Sequence, residues 1–195
     1  MKRVKWIVFA ICVICSIVGY GQEKIDFSKL NSPIIFHGDR KYAYRDPAAV
    51  FHDGRFYLYF TLSETAPDGG YYNMTAYSIS EDLAHWTFPE IMTPRDRNLN
   101  YSSPGNIIRY QGQWIICLQT YPTPNREVFG TNESRIWIMR SRDLMNWSEA
   151  ELLKVKGSDV PRAEMGRMID PYLLEDAGQK GKWWCFYKQR GVSMS

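Results

Sequence analysis

Two aspartates and a serine stand in one repeated context in this sequence. Asp46 precedes Pro47, Ser103 precedes Pro104 and Asp170 precedes Pro171, and the prolines lie 57 and then 67 residues apart. Each opens an apolar run (AAVF, NIIRY, YLL). A glycine turn follows at Gly54, at Gly112, and at Gly178 or Gly181, and then an aromatic-rich run (FYLYF, WIICL, WWCFY). Taken singly, an Asp-Pro pair is a strand-entry or turn dipeptide whose carboxylate bonds nearby backbone N–H groups. Taken together, two carboxylates at equivalent positions, with Ser103 breaking the pattern between them, are the material of acid–base chemistry.

Such chemistry needs a scaffold that brings the three positions together. A second signature follows the first two hairpins, "SISEDLAHW" at 78–86 and "RSRDLMNW" at 140–147, with Trp86 and Trp147 61 residues apart. A period near 60 with four short strands per unit marks a blade of a β-propeller rather than a helical solenoid. "YYNMTAYSIS" and "RIWIMRSR" are then third strands, and each S-x-D-L-x-x-W segment turns the chain into an outer fourth strand. Asp82 and Asp143 are alternatively N-caps of short helices. Innermost strands of a propeller converge on one axis, so their leading ends share a pocket despite the 124 positions between Asp46 and Asp170. The third unit reaches Ser195 before a third S-x-D-L-x-x-W. The expected fold class is all-β, with about two blades and most of a third. Residues 22–195 are expected to be the N-terminal part of a longer domain, with an open blade face that favours aggregation.

The first 21 residues read as a cleaved signal peptide: Lys2, Arg3 and Lys5, then 13 apolar residues from Trp6 to Val18, then "GYG". Thirteen are too few to span a bilayer, which takes about 20. A secreted or periplasmic protein is expected, with no membrane partner after cleavage. Removing the leader takes three basic side chains from a formal charge of +3, leaving residues 22–195 neutral. That balance gives no footprint for nucleic acid. Cys117 and Cys185 sit in apolar strands five and four residues past Gly112 and Gly181, so they point to different sides of their sheets and are expected as core thiols.

The hairpin "RDPAAVFHDGRFYLYFT", the S-x-D-L-x-x-W turns and "IDPYLLEDAGQKGKWWCFY" resemble glycoside hydrolase family 43 and its relatives, the five-bladed propeller glycosidases, from about residue 34 onward. The resemblance implies a carbohydrate substrate of arabinofuranosyl, xylosyl or galactosyl type. It makes Asp46 the general base and Asp170 the carboxylate that orients the acid and adjusts its pKa, with the glutamate general acid on a later blade. Hydrolysis with inversion is expected. The alternatives are a retaining fructosidase-type or phosphorolytic enzyme, or a carbohydrate-binding propeller without catalysis. A fructosidase is expected to carry Asn before the first Asp-Pro, where this chain has Arg45. Substrate-binding candidates are Arg45, His37, Ser103, Asn106, Glu164 and Arg167. Tyr71, Tyr72, Tyr121 and Phe129, in two long loops, are candidates for stacking on sugar rings. Asn73, Asn132 and Asn146 open N-glycosylation patterns. No cofactor is expected; relatives hold a cation in the central channel, and calcium there is the alternative.

Overall fold

Tight turns punctuate the strands of the described residues. The computed structural model describes Ser28 and residues 34–156, 159–161 and 164–189. The chain divides into residues 1–30 and 31–195, and the architecture here is that of the second unit. The leader reading lies outside the described residues.

The first sheet is antiparallel, with β1 (Tyr42–His52), β2 (Arg55–Thr65), β3 (Tyr71–Ser80) and β4 (Glu90–Ile91) in sequential order. The second repeats it with the inner strand in two pieces. β5 (Tyr101–Ser102) and β6 (Ile107–Tyr110) both pair with β7 (Gln113–Thr120), followed by β8 (Ile136–Ser141) and β9 (Glu151–Leu152). In the third, β10 (Met168–Glu175) pairs with β11 (Trp183–Gln189). All four expected third and fourth strands are present in the first two sheets, the outer ones two residues long. Asp53 and Gly54 (φ 48° and 77°) and Gln111 and Gly112 (φ 49° and 77°) make the doubly left-handed turns that suit a twisted hairpin.

Each S-x-D-L segment is a turn, and the helix alternative is not realised. Ser80 Oγ accepts the Leu83 N–H at 2.8 Å, and Asp82 Oδ1 accepts that of His85 at 2.8 Å. Ser141 and Asp143 do the same for Leu144 and Asn146, at 2.9 and 2.8 Å. Leu83 and Leu144 take φ of 65° and 66°, which a right-handed helix cannot continue. The Leu144 side chain is buried, and its carbonyl accepts the Tyr59 phenol at 2.6 Å, pinning the second sheet to the first.

Period-two alternation puts a packed layer on either side of the first two sheets. Tyr57, Tyr59 and Tyr77 meet Trp114, Ile116, Leu118 and Met139 between sheets one and two. Phe60, Leu62, Met74 and Ala76 cover the other side of sheet one, against Phe36, Tyr42 and Tyr44. Ile115, Cys117 and Ile138 meet Leu173, Trp183 and Cys185 between sheets two and three. The two cysteines are free and come from opposite faces of equivalent sheets, as their spacing implies. Burial pushes the Cys117 thiol up to about 11. The far face of sheet three carries the cross-strand pairs Tyr172–Phe186 and Leu174–Trp184, all about half exposed.

The tightest join lies where the inner strand of sheet two breaks. Asn106 pairs with Leu173 through both amide atoms, Nδ2 donating to its carbonyl at 2.7 Å and Oδ1 accepting its N–H at 2.8 Å. A Cβ at Gly105 would overlap the Pro171 carbonyl oxygen and the Cys117 sulfur. Backbone cannot yield as a side-chain tip does, so Gly105→Ala is expected to cost about 1–3 kcal/mol. Urea unfolding followed by tryptophan fluorescence checks this; an unchanged midpoint would mean that sheets two and three are not held together at this contact.

Candidate active site

The three positions singled out by the sequence share one backbone state. Asp46, Ser103 and Asp170 have φ of 54°, 43° and 54°. A non-glycine residue in that region is strained by roughly 1–2 kcal/mol. The proline that follows already restricts its predecessor. The strain marks a bulge at each site. Pairing of β1 with β2 slips between Arg45 and Ala48, and that of β10 with β11 slips between Ile169 and Tyr172. In sheet two the same step separates β5 from β6. A bulge breaks the strict alternation of a strand and re-aims a side chain. Consecutive residues Arg45 and Asp46 thus both line one cleft.

That cleft has a volume of about 480 Å³ and brings together Arg45, Asp46, Ser103, Gln119 and Asp170 from three sheets. Asp46 Oδ2 accepts hydrogen bonds from Thr61 Oγ1 at 3.0 Å and Ser103 Oγ at 3.1 Å. The Asp170 backbone N–H donates to Gln119 Oε1 at 2.6 Å, and Gln119 Nε2 donates to Ser102 Oγ at 3.3 Å. Buried Gln119 therefore ties the third bulge to the second. Lys188 Nζ stands 3.9 Å from Asp170 Oδ2, both side chains more than half exposed, a weak pairing. A second cleft of about 550 Å³ runs along β1, β6 and β10, and Glu175 is the one charged residue lining it. The paired carboxylates single out the first.

The expected site residues divide sharply. Arg45 Nη2 donates to neutral oxygens, Ser63 Oγ at 2.8 Å and Asn73 Oδ1 at 3.4 Å. Ser103 grips Asp46 directly. Arg167 stands behind the wall, donating to the Tyr121 hydroxyl and the Gly130 carbonyl, each at 3.4 Å. Asn106 is spent on Leu173 and lies outside this cleft. His37 and Glu164 are exposed and outside its lining. Of the aromatic candidates, Tyr71, Tyr121 and Phe129 line the cleft. Tyr72 does not; Arg95 and Arg97 lie over its ring at 3.5 and 4.5 Å. Asn73 is buried, so its glycosylation pattern is a core motif in the folded chain. Sequence reasoning passed over Thr61 and Gln119. Their signal was a polar residue directly after an apolar run, in "FYLYFT" and "WIICLQT". Among the described residues no group of three or more His, Cys, Asp or Glu could hold a metal ion.

The wall carrying Tyr71 is braced by charge. Arg97 forks onto Asp68 with two bonds of 2.7 Å, and the Gly70 N–H donates to the same carboxylate at 3.1 Å. These bonds, the guanidinium first, hold the Asp68 carboxyl at about 2. Tyr71 donates to the Val128 carbonyl across the cleft rim at 3.4 Å, and burial pushes its phenol up to about 12.

No family model and no curated protein matches the chain. Solved structures do. Zg3597, a family 117 glycoside hydrolase of the marine bacterium Zobellia galactanivorans, superposes with a TM-score of 0.57 at 18% identity, over 78% of this chain and 50% of that one. A glycosyl hydrolase from Bacteroides ovatus gives 0.55 at 16%, over 75% and 43%. The chain thus spans about half the length of these neighbours or less, and its three sheets share the fold of propeller-type glycoside hydrolases.

Because the Asp68 carboxyl titrates below its ordinary value near 3.8, its contribution is complete above that pH and is lost as pH falls toward about 2. The hydrogen-exchange protection factor of the Gly70 amide is expected to drop across that window. In Asp68→Asn it should be low already at pH 6. Equal protection in both proteins would remove Asp68 as the brace.

Proposed function

We propose that the chain carries the base-bearing blades of an exported, secreted or periplasmic, five-bladed propeller glycoside hydrolase of the family 43 type. It acts on arabinofuranosyl, xylosyl or galactosyl groups of poly- or oligosaccharides. The observation that carries this reading is the pair Asp46 and Asp170, set 124 residues apart on matching strained bulges and lining one cleft. Strain of this kind persists where the surrounding structure enforces it, and it gathers at functional sites.

Asp46, its two hydroxyl donors holding it in place, is the general base for a water molecule attacking the anomeric carbon. Asp170 supplies a second negative charge that raises the pKa of a neighbouring acid by repulsion. The acid is a protonated carboxyl group from a blade other than the three described. In an inverting enzyme base and acid stand roughly 6.5–9.5 Å apart, which leaves room for the water. Tyr71, Tyr121 and Phe129 offer rings for the apolar faces of the sugars, and Arg45 donates to their hydroxyls.

In the full-length protein Asp46→Asn is expected to lower kcat by about 10²–10⁴ while leaving folding intact. Asp170→Asn is expected to lower kcat and move the basic limb of the pH profile to lower pH, since the acid loses the charge that raised its pKa. Aryl glycosides of the three sugars report the rates, and proton NMR of the first-formed anomer reports the stereochemistry. Full activity in Asp46→Asn would end the assignment of the base.

A further inference from the structure

We propose that Thr61 and Ser103 are positioning residues which together clamp one oxygen of Asp46, leaving Oδ1 as the atom that takes the proton. The inference rests on Asp46 being the base.

Thr61 lies within β2, paired with Arg45 of β1 and Thr75 of β3, and is fully buried. Its hydroxyl has one proton to give and lone pairs with which to accept. The Ser103 backbone N–H points into Thr61 Oγ1 at 2.7 Å, and Asp46 Oδ2 lies 3.0 Å from that same Oγ1. With the incoming N–H taking a lone pair, the single hydroxyl proton is directed at the carboxylate. Ser103 Oγ adds a second donor to the same oxygen at 3.1 Å. No hydrogen bond among the described residues reaches Oδ1. Asp46 is exposed to the cleft, so Oδ1 is the carboxylate oxygen available to water.

The clamp joins two sheets, with one donor from within β2 and one from the bulge of sheet two. Rotation of the Asp46 carboxylate would break both bonds at once. In the reaction Oδ1 takes a proton from water as the water oxygen bonds to the anomeric carbon. The glycosidic bond to the leaving oxygen breaks, and that oxygen is protonated by the carboxylic acid acting opposite.

The same geometry explains why the middle hairpin carries serine. Ser103 Oγ already stands 3.1 Å from Asp46 Oδ2, so a carboxylate at position 103 would set a second negative charge against the first, and like charges that close resist ionising together. The second bulge must supply a neutral donor.

Three variants test the clamp. In the full-length protein Thr61→Val keeps the shape and loses the hydroxyl; kcat should fall about ten- to a hundredfold, the weight of a hydrogen bond to a charged group, with KM within about twofold. The acid limb of its pH profile should move to higher pH. Thr61→Ser should keep the parent rate and profile. Ser103→Ala, at a half-buried site that tolerates truncation, should move both readouts in the same direction as Thr61→Val. Crystal structures of the variants give the readout that needs no activity: the Asp46 carboxylate rotated in Thr61→Val and in its parent position in Thr61→Ser. Thr61→Val with parent kinetics, or with Asp46 unmoved, overturns the clamp. An inactive parent protein would instead overturn the proposed function, and the crystal structures would then decide the clamp alone.

Discussion

A strand cannot point two consecutive side chains into the same cleft while it stays regular. The left-handed step before each proline removes that restriction, at Asp46, Ser103 and Asp170 alike. It interrupts the ladder within the inner strand and turns the side chain into the cleft. Proline follows because the interrupted ladder has no use for its missing N–H. The cleft walls, the tie from Gln119 to the third bulge and the bonds on Asp46 all presuppose these steps. Without them Arg45 and Asp46 would lie on opposite faces of β1, and the two carboxylates would have no common space.

Holding three strained steps in register requires rigid contact between sheets. The layers on either side of sheet two provide it, dominated by aromatic and branched side chains from alternating positions. Near the bulges the packing changes character, from apolar contact to hydrogen bonds between particular atoms. Asn106 copies a strand edge for Leu173, Gln119 takes the Asp170 N–H, and Thr61 takes that of Ser103. Apolar layers can slide by small amounts at little cost, whereas a buried polar atom that loses its partner costs about 1–3 kcal/mol. The polar contacts therefore set the spacing of the bulges, and the layers supply most of the cohesion.

Much of this was legible in the sequence because the repeat prints itself in turn residues. Gly54, Gly112 and the two S-x-D-L segments occupy backbone states that few residues tolerate, so they gave away the strands between them. The carboxylates were legible as a pair for the same reason, being tied to prolines at equivalent places. Single side-chain directions were not. Asn106 was expected at the sugar, yet it lies three residues beyond the bulge, where the strand has turned to meet Leu173. Tyr72 was grouped with Tyr71, and strand alternation sent it the opposite way, beneath Arg95 and Arg97. Thr61 and Gln119 are ordinary polar residues until the neighbouring sheet is present, since their roles exist only between sheets.

The role of Ser103 follows from the same distinction between repeat and departure from repeat. Three copies of one bulge, placed around a shared cleft, would by default present three identical groups to one another. Three aspartates would concentrate negative charge in a small space with Arg45 as the one cation among the lining residues. Repulsion between adjacent carboxylates would then be relieved by protonating one, which removes its charge, or by pushing the bulges apart, which breaks the inter-sheet bonds. Serine at the middle position removes the charge and keeps a proton to donate, so that symmetry in the backbone coexists with asymmetry in the chemistry. The asymmetry also orders the cleft: Asp46 stands against two hydroxyl donors, while Asp170 is held through its backbone and leaves its carboxylate open to solvent and Lys188. Two groups of one residue type thus meet different surroundings, which is the condition for giving them different tasks.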